Sequence, residues 1–280
     1  MLALPGMQLP PSEQRLERKI ELAIELLRAY EEMALEYSKN GFYLAFSGGK
    51  DSIVIKELAK MAGVKFKSYY NQTTIDPPEL IYYIREHHPE VEWNRPDPFI
   101  NLVFYPTLHP KGPPTRLNRW CCQVYKEGGG DGLFKIIGVR AAESPRRAKQ
   151  WKQVVANRRK GHILCPILYW TDNDVWQFIK ERSLPYCCLY DEGFDRLGCI
   201  GCPMSGTKGV ARDFARWPGF ERLWKLGIKA YFDTWKNVPR RDGKERWLKR
   251  FDNWEELWGW WVSRKKWKSK EECQSSLLQI

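Results

Sequence analysis

An apolar run, Phe42-Tyr43-Leu44-Ala45-Phe46, meets Ser47-Gly48-Gly49-Lys50-Asp51-Ser52 with nothing between them. The aromatic stretch predicts a buried strand, and Ile53, Val54, Ile55, Leu58 and Ala59 fit the inner face of a helix that follows it. A strand that becomes a helix through two glycines restricts the architecture to the α/β class. Glycine adopts φ > 0 readily and lets the backbone approach a ligand without a Cβ in the way. The first N–H groups of the helix lack intrahelical partners, so they point at whatever anion lies in the turn. Lys50 adds a cation, and Ser47 and Ser52 add hydroxyl donors. The expected object is a polyphosphate cradle, and its spacing is not the Gly-x-x-x-x-Gly-Lys-Ser/Thr pattern of P-loops. A glycine turn with no ligand is the bland alternative.

The Ser47–Ser52 hexapeptide resembles the PP-loop of the adenine-nucleotide α-hydrolase-like superfamily. That superfamily includes ATP pyrophosphatases, the ATP sulfurylase small subunit, tRNA thiolases and the phosphoadenosine phosphosulfate (PAPS) reductase family. The resemblance covers residues 40–205 and implies a Rossmann-like (HUP-type) parallel sheet with flanking helices. It implies chemistry at the α-phosphate of ATP, leaving AMP and pyrophosphate. Ser47, Gly48, Gly49, Lys50, Asp51 and Ser52 would then hold ATP, with Mg2+ on its phosphates and Lys50 and Asp51 serving catalysis.

Upstream, apolar residues from about 13 to 38 recur at helical spacing, with Ser12 as a cap and Asn40-Gly41 as the stop. Downstream, residues 64–70 predict a second strand ending in the polar segment Asn71-Gln72-Thr73-Thr74-Ile75-Asp76. In an open parallel sheet ligands sit beyond the carboxyl ends of strands, and relatives use a comparable segment for the nucleotide, which makes Thr73 a binding candidate. Thr74 or Asp76 caps the helix from Pro77 to His87 on the bland reading. His87 and His88 close that helix, where imidazolium suits the dipole. A short strand over 91–93 and a proline-rich loop over 95–115 follow.

Cysteines supply the second anchor. Cys121-Cys122 and the Cys199-Ile200-Gly201-Cys202-Pro203 knuckle offer four thiolates, enough for a [4Fe–4S] cluster or zinc. Inert or redox-active thiols are the remaining alternative. A vicinal pair is unusual in zinc sites, and this vicinal pair with a distant CxxC resembles the cluster motif of adenylyl-sulfate (APS) reductases. The resemblance implies a [4Fe–4S] cluster on Cys121, Cys122, Cys199 and Cys202. Cys187 or Cys188 could replace one of the first two, and Cys165 reads as core. Between the anchors, residues 133–140 predict a strand ending in Arg140, which matches the family's Gly-x-Arg segment and would meet phosphate or sulfate bidentately. Residues 163–167 predict another strand, and Thr171-Asp172 starts a helix with Val175, Trp176 and Ile179 inward.

Formal net charge is +12, and from Pro203 onward 18 Lys/Arg face 10 Asp/Glu alongside nine of the 14 tryptophans. Basic residues interleaved with aromatics suit nucleic-acid backbones and stacked bases. A solvated basic face over a Trp-rich core gives the same composition. The chain therefore divides into a packing helix (1–40), the PP-loop domain (41–205) and a helical, basic, Trp-rich region (206–280). Eight cysteines with no export signal indicate a reducing compartment, hence the cytoplasm. No run is long and apolar enough for a membrane span.

Departures from the family pattern discriminate among activities. Relatives that reduce APS or PAPS generally carry a degraded PP-loop and a C-terminal Cys-Gly-x-His tail. Here the loop is intact, and Cys273 lacks the Gly and His. The expectation is sulfur transfer coupled to ATP α-phosphate cleavage, with a nucleic-acid acceptor and a sulfur-donor protein as candidate partners and an oligomer as an open option. A thioredoxin-dependent reductase and a non-catalytic nucleotide-binding subunit are the alternatives.

Overall fold

The computed structural model describes residues 15–95, 101–109, 111–157, 161–243 and 245–263. Ser12 and Cys273 lie outside them. The chain forms two compact units, one comprising Met1–Gln72, Asp76–Arg95 and Tyr125–Gly198, the other Thr73–Ile75, Pro96–Val124 and Cys199–Ile280.

In the first unit, helices α1 (Leu16–Ala29) and α2 (Glu31–Tyr37) precede β1 (Phe42–Phe46), α3 (Lys50–Ala62), β2 (Phe66–Asn71), α4 (Pro78–His87) and β3 (Glu92–Asn94). There follow β4 (Lys135–Ile136), α5 (Pro145–Gln150), β5 (Val154–Asn157), β6 (Gly161–Leu164) and α6 (Asp172–Glu181). The strands form one sheet in the order β3-β2-β1-β4-β6-β5, parallel except for β5 against β6. This is the Rossmann-like arrangement expected from the strand–loop–helix pattern. β1 lies between β2 and β4, so it is shielded on both sides, and four of its five residues are buried. A near-continuous apolar strand is what a doubly covered parallel sheet requires.

The expected N-terminal helix is two helices. Tyr30 leaves helical geometry (φ −112°, ψ 5°) and packs its ring edge-on against Phe134 at 5.8 Å. Gly41 ends the segment as expected: φ is +69°, and a Cβ there would come within 2.0 Å of the Lys65 carbonyl. The N-cap position of α4 is Pro77 rather than Thr74 or Asp76. Thr171 and Asp174 do form a reciprocal capping box on α6, and Lys19 Nζ from α1 lies 2.7 Å from Asp174 Oδ2. The strand expected over 133–140 keeps its ladder only at Lys135–Ile136, and the one expected over 163–167 runs earlier, over Gly161–Leu164.

His88 corrects a second expectation. It is buried, with Lys56 Nζ 2.7 Å from Nδ1 and the Tyr83 hydroxyl 2.8 Å from Nε2. The Tyr83 hydroxyl donates to the Pro185 carbonyl, so Nε2 carries the proton and Nδ1 accepts from Lys56. Burial, then the neighbouring Lys56 ammonium, lowers the His88 pKa from 6.5 to about 4. The ring is therefore a neutral core group rather than an imidazolium serving the helix dipole.

The second unit holds short helical turns at Tyr105–Leu108 and Trp120–Cys122, then α7 (Thr207–Arg216), α8 (Pro218–Trp235) and α9 (Trp254–Ser263). Tryptophans build its core: Trp224 and Trp261 are buried with centroids 4.6 Å apart, and Trp261 Nε1 donates to the Pro114 carbonyl. Gly227 gives α8 its close approach to Val103, whose Cγ1 would lie 2.3 Å from a Cβ there. Among the described residues, no helix is long and apolar enough to cross a membrane.

Candidate functional site

The loop after β1 takes its shape from its own residues. Gly48 has φ +71°, and a Cβ there would stand 2.6 Å from Leu80 Cδ1, so neither backbone nor space admits a side chain. Ser47 Oγ accepts from the Gly49 N–H and donates to Ser52 Oγ at 3.2 Å, and Ser52 Oγ donates to the Gly49 carbonyl at 2.7 Å. The two hydroxyls expected at phosphate oxygens therefore brace the turn. Gly49 is the cap residue of α3, and Lys50 is its first residue.

Charge converges beside this turn. Lys50 is buried; its N–H donates to the Tyr190 hydroxyl at 2.9 Å, and its Nζ donates to the Asp195 carbonyl at 3.0 Å. Nζ also lies 3.3 Å from Asp172 Oδ1. Arg140, 3% exposed, donates from Nε to Asp51 Oδ1 at 2.6 Å and from its other arm to the same Asp172 Oδ1 at 2.9 Å. Gly138 permits that approach, since a Cβ there would stand 3.1 Å from the Asp51 backbone. Burial raises the Asp51 pKa, opposed by the charges of Arg140 and Lys50. Burial likewise raises the Tyr190 phenol, which stays neutral at pH 7.

These groups line a cleft of about 520 Å³, with Glu143, Trp176 and Arg196. β1 pairs with β2 on one side and β4 on the other, so the loops leaving β1 and β4 part company at the carboxyl ends of adjacent strands. That is where open α/β sheets bind ligands. Chemically, two buried cations aimed at one exposed oxygen form an oxyanion site with a carboxylate, Asp51, beside it.

The four candidate metal ligands all belong to the second unit. The knuckle is tightly held: Gly201 has φ +71°, its N–H donates to Asp213 Oδ2, and the Ile200 carbonyl accepts from Trp224 Nε1. Arg119 lies 3.5 Å from Cys122 Sγ. Hydrogen bonding with Cys122, then burial, then charge on Cys122, Cys199 and Cys202 push the Cys121 thiol up. Among the described residues, no three His, Cys, Asp or Glu side chains stand as a ready-made metal-holding group. In donor type and number the four thiols nonetheless fit a [4Fe–4S] cluster or zinc. Cys187 and Cys188, the possible substitutes, lie in the first unit, and Cys165 is core as expected.

Thr73, in the second unit, is fully buried, and its hydroxyl accepts from Cys199 Sγ at 3.4 Å. Two residues of the cleft carry no such signal in the sequence: Asp172 reads only as a helix-start residue, and the Tyr190 hydroxyl reaches Lys50 across 140 positions. The sequence signal nearest to it is that Tyr190-Asp191-Glu192-Gly193-Phe194 runs into the CxxC segment.

Sheet order and loop together define an α/β protein of the PP-loop kind. The chain belongs to the phosphoadenosine phosphosulfate reductase domain family, whose model matches residues 41–205. It is 27% identical over 209 residues to the adenosine 5'-phosphosulfate reductase of Staphylococcus haemolyticus, covering 69% of this chain and 84% of that protein. An uncharacterised protein of Methanocaldococcus jannaschii is 28% identical over 261 residues, covering 82% of this chain. The chain spans 49% of that relative's length and 59% of a second one from the same organism. Among solved structures, Candida glabrata FMN adenylyltransferase shares the fold with TM-score 0.50 and 17% identity, covering 70% of this chain and 66% of that one.

Proposed function

We propose that the protein is an ATP-using sulfur-transfer enzyme that acts at the α-phosphate. The observation that carries this reading is the convergence of Lys50 and Arg140 on a single oxygen, Asp172 Oδ1, beside the glycine turn. A phosphate oxygen that takes the place of this carboxylate oxygen would meet both cations. An acceptor oxygen attacks the α-phosphorus, the bond to the β-phosphate oxygen breaks, and pyrophosphate leaves. A sulfur nucleophile then displaces AMP from the adenylated acceptor.

Lys50 and Arg140 stabilise the charge that grows on the phosphate oxygens as the bond breaks. Trp176 and Tyr190 supply aromatic walls on which a purine can rest. Mg2+ bound to the triphosphate would neutralise charge there, and Asp51 offers the hard oxygen donor that ion takes. Cys121, Cys122, Cys199 and Cys202 would hold a [4Fe–4S] cluster, with zinc as the alternative, and a cluster supplies a site for carrying sulfide. Nucleic acid is the acceptor class that the basic, aromatic C-terminal region favours.

The test is pyrophosphate release from ATP and Mg2+, with and without Lys50→Ala. Loss of release with nucleotide binding retained supports the assignment; unchanged turnover in the variant overturns it. A second reading, reduction of an adenylyl sulfate, draws on the named reductase relatives. Thioredoxin-driven sulfite formation abolished by Cys273→Ser would select it.

A further inference from the structure

The second unit carries a cleft of about 790 Å³ that the α-phosphate reading does not use. Trp235, Trp247, Arg240, Arg241, Arg246 and His109 line it, and among the described residues no carboxylate does. Its aromatic parts are already fixed. Trp235 Nε1 donates to the Pro106 and Thr107 carbonyls, both at 3.1 Å, and the Arg246 guanidinium lies over the Trp235 ring at 4.6 Å. Arg246 is itself tied to the Val238 carbonyl at 2.8 Å and the Pro239 carbonyl at 3.3 Å. Trp247 packs against Phe251 and Trp260, with centroids at 5.6 and 5.4 Å. Arg240 is bridged by Asp242, an exposed pair that a phosphate can displace at little cost, and Arg241 is exposed.

Which ligand needs this set? Guanidinium forks match phosphodiester oxygens bidentately. Flat rings held in advance accept nucleobase faces without an ordering penalty. An acidic peptide would engage the arginines but has no use for the rings. A duplex offers phosphates but keeps its base faces stacked inside. We propose that this cleft binds an unpaired strand of nucleic acid, with phosphates at Arg240 and Arg241 and a base against the Trp235–Arg246 and Trp247 faces. The local excess of Lys and Arg over Asp and Glu from Pro203 onward supplies the matching field.

The proposal deepens the nucleic-acid acceptor reading of the proposed function, and its test reads binding without ATP. A protein that binds strands but releases no pyrophosphate sinks the enzymatic reading alone, and the converse result sinks this one alone. Fluorescence anisotropy with labelled single-stranded RNA and DNA of about 12 nucleotides, within single-strand site sizes, is the measurement. Companion probes are the corresponding DNA duplex and an abasic strand of equal length. Expected results are salt-sensitive binding of the single strands and weaker binding of duplex and abasic strand. The double variant Arg240→Glu/Arg241→Glu loses about tenfold or more in affinity, whereas Lys60→Glu, an exposed charge reversal on α3, changes nothing. The RNA and DNA arms report which sugar is preferred, and binding of neither overturns the proposal. Equal affinity for duplex or abasic strand, or equal loss in both charge variants, also overturns it. Trp247→Leu, checked for folding by circular dichroism, reduces discrimination against the abasic strand; full discrimination in a folded variant contradicts the stacking role.

Discussion

Arg140 Nε donates to Asp51 Oδ1 at 2.6 Å, joining the segment after β4 to the first turn of the helix after β1. The pair lies at the strand ends where the sheet's connections diverge, and Arg140 is almost fully buried. An isolated charge there is costly, so each partner depends on the other.

Removing the arginine leaves the half-buried Asp51 carboxylate with the Lys50 charge alone to oppose its desolvation. Arg140→Ala is expected to destabilise the fold by ~3 kcal/mol, in the range for breaking a buried pair. Urea denaturation measures it. Arg140→Lys recovers part of the loss because an ammonium cannot serve both Asp51 and Asp172 in fork geometry.

Asp172 sits where an anionic ligand would, yet its side chain is 61% exposed. The ion pairs it makes are accordingly weak competitors. Asp172→Asn is expected to tighten nucleotide binding by roughly two- to fivefold, about 0.5–1 kcal/mol, in a calorimetric titration. Weaker binding would mean the carboxylate contacts the ligand or its metal favourably.

Gly48 and Gly63 share the same positive φ, +71° and +70°, but differ in surroundings. A Cβ at Gly48 meets Leu80 and Ile84 inside 3 Å, whereas nothing lies within 4 Å of one at Gly63. Gly63→Ala should cost about 1 kcal/mol from backbone alone. Gly48→Ala should cost about 1–3 kcal/mol more from overpacking, and it should weaken nucleotide binding. Parallel denaturation curves separate the two.

Acid should act through His88. Its pKa is lowered from 6.5 to about 4 on folding, so between those values the unfolded chain binds more protons and stability falls as pH falls. The loss is about 3 kcal/mol once pH passes below 4. His88→Gln should flatten that part of the profile relative to wild type in urea melts taken between neutral pH and about pH 4. A variant with an unchanged slope would assign the acid sensitivity to other groups.

What the sequence made legible was local. The strand-to-helix turn at Ser47–Ser52, the stop at Gly41 and the helix start at Thr171 each depend on residues a few positions apart. What escaped depends on distant partners. No proline or glycine marks Tyr30 as a break; its ring contact with Phe134 is what distinguishes it. Val154–Asn157 is a strand of four residues at the sheet edge, held by antiparallel pairing with β6, and a run that short carries little periodicity of its own. The contact of the Thr73 hydroxyl with Cys199 spans 126 positions and has no local signature. His88 reads as a helix-end cation until Lys56 and Tyr83 are seen to enclose it.

The central claim concerns which phosphorus reacts. Phosphorus-31 NMR of ATP incubated with the full chain, Mg2+, a candidate acceptor strand and sulfide as the sulfur nucleophile identifies the products directly. The account predicts paired AMP and pyrophosphate signals that are absent with Lys50→Ala. Accumulation of ADP and inorganic phosphate, or AMP and pyrophosphate formed equally by the variant, would contradict it.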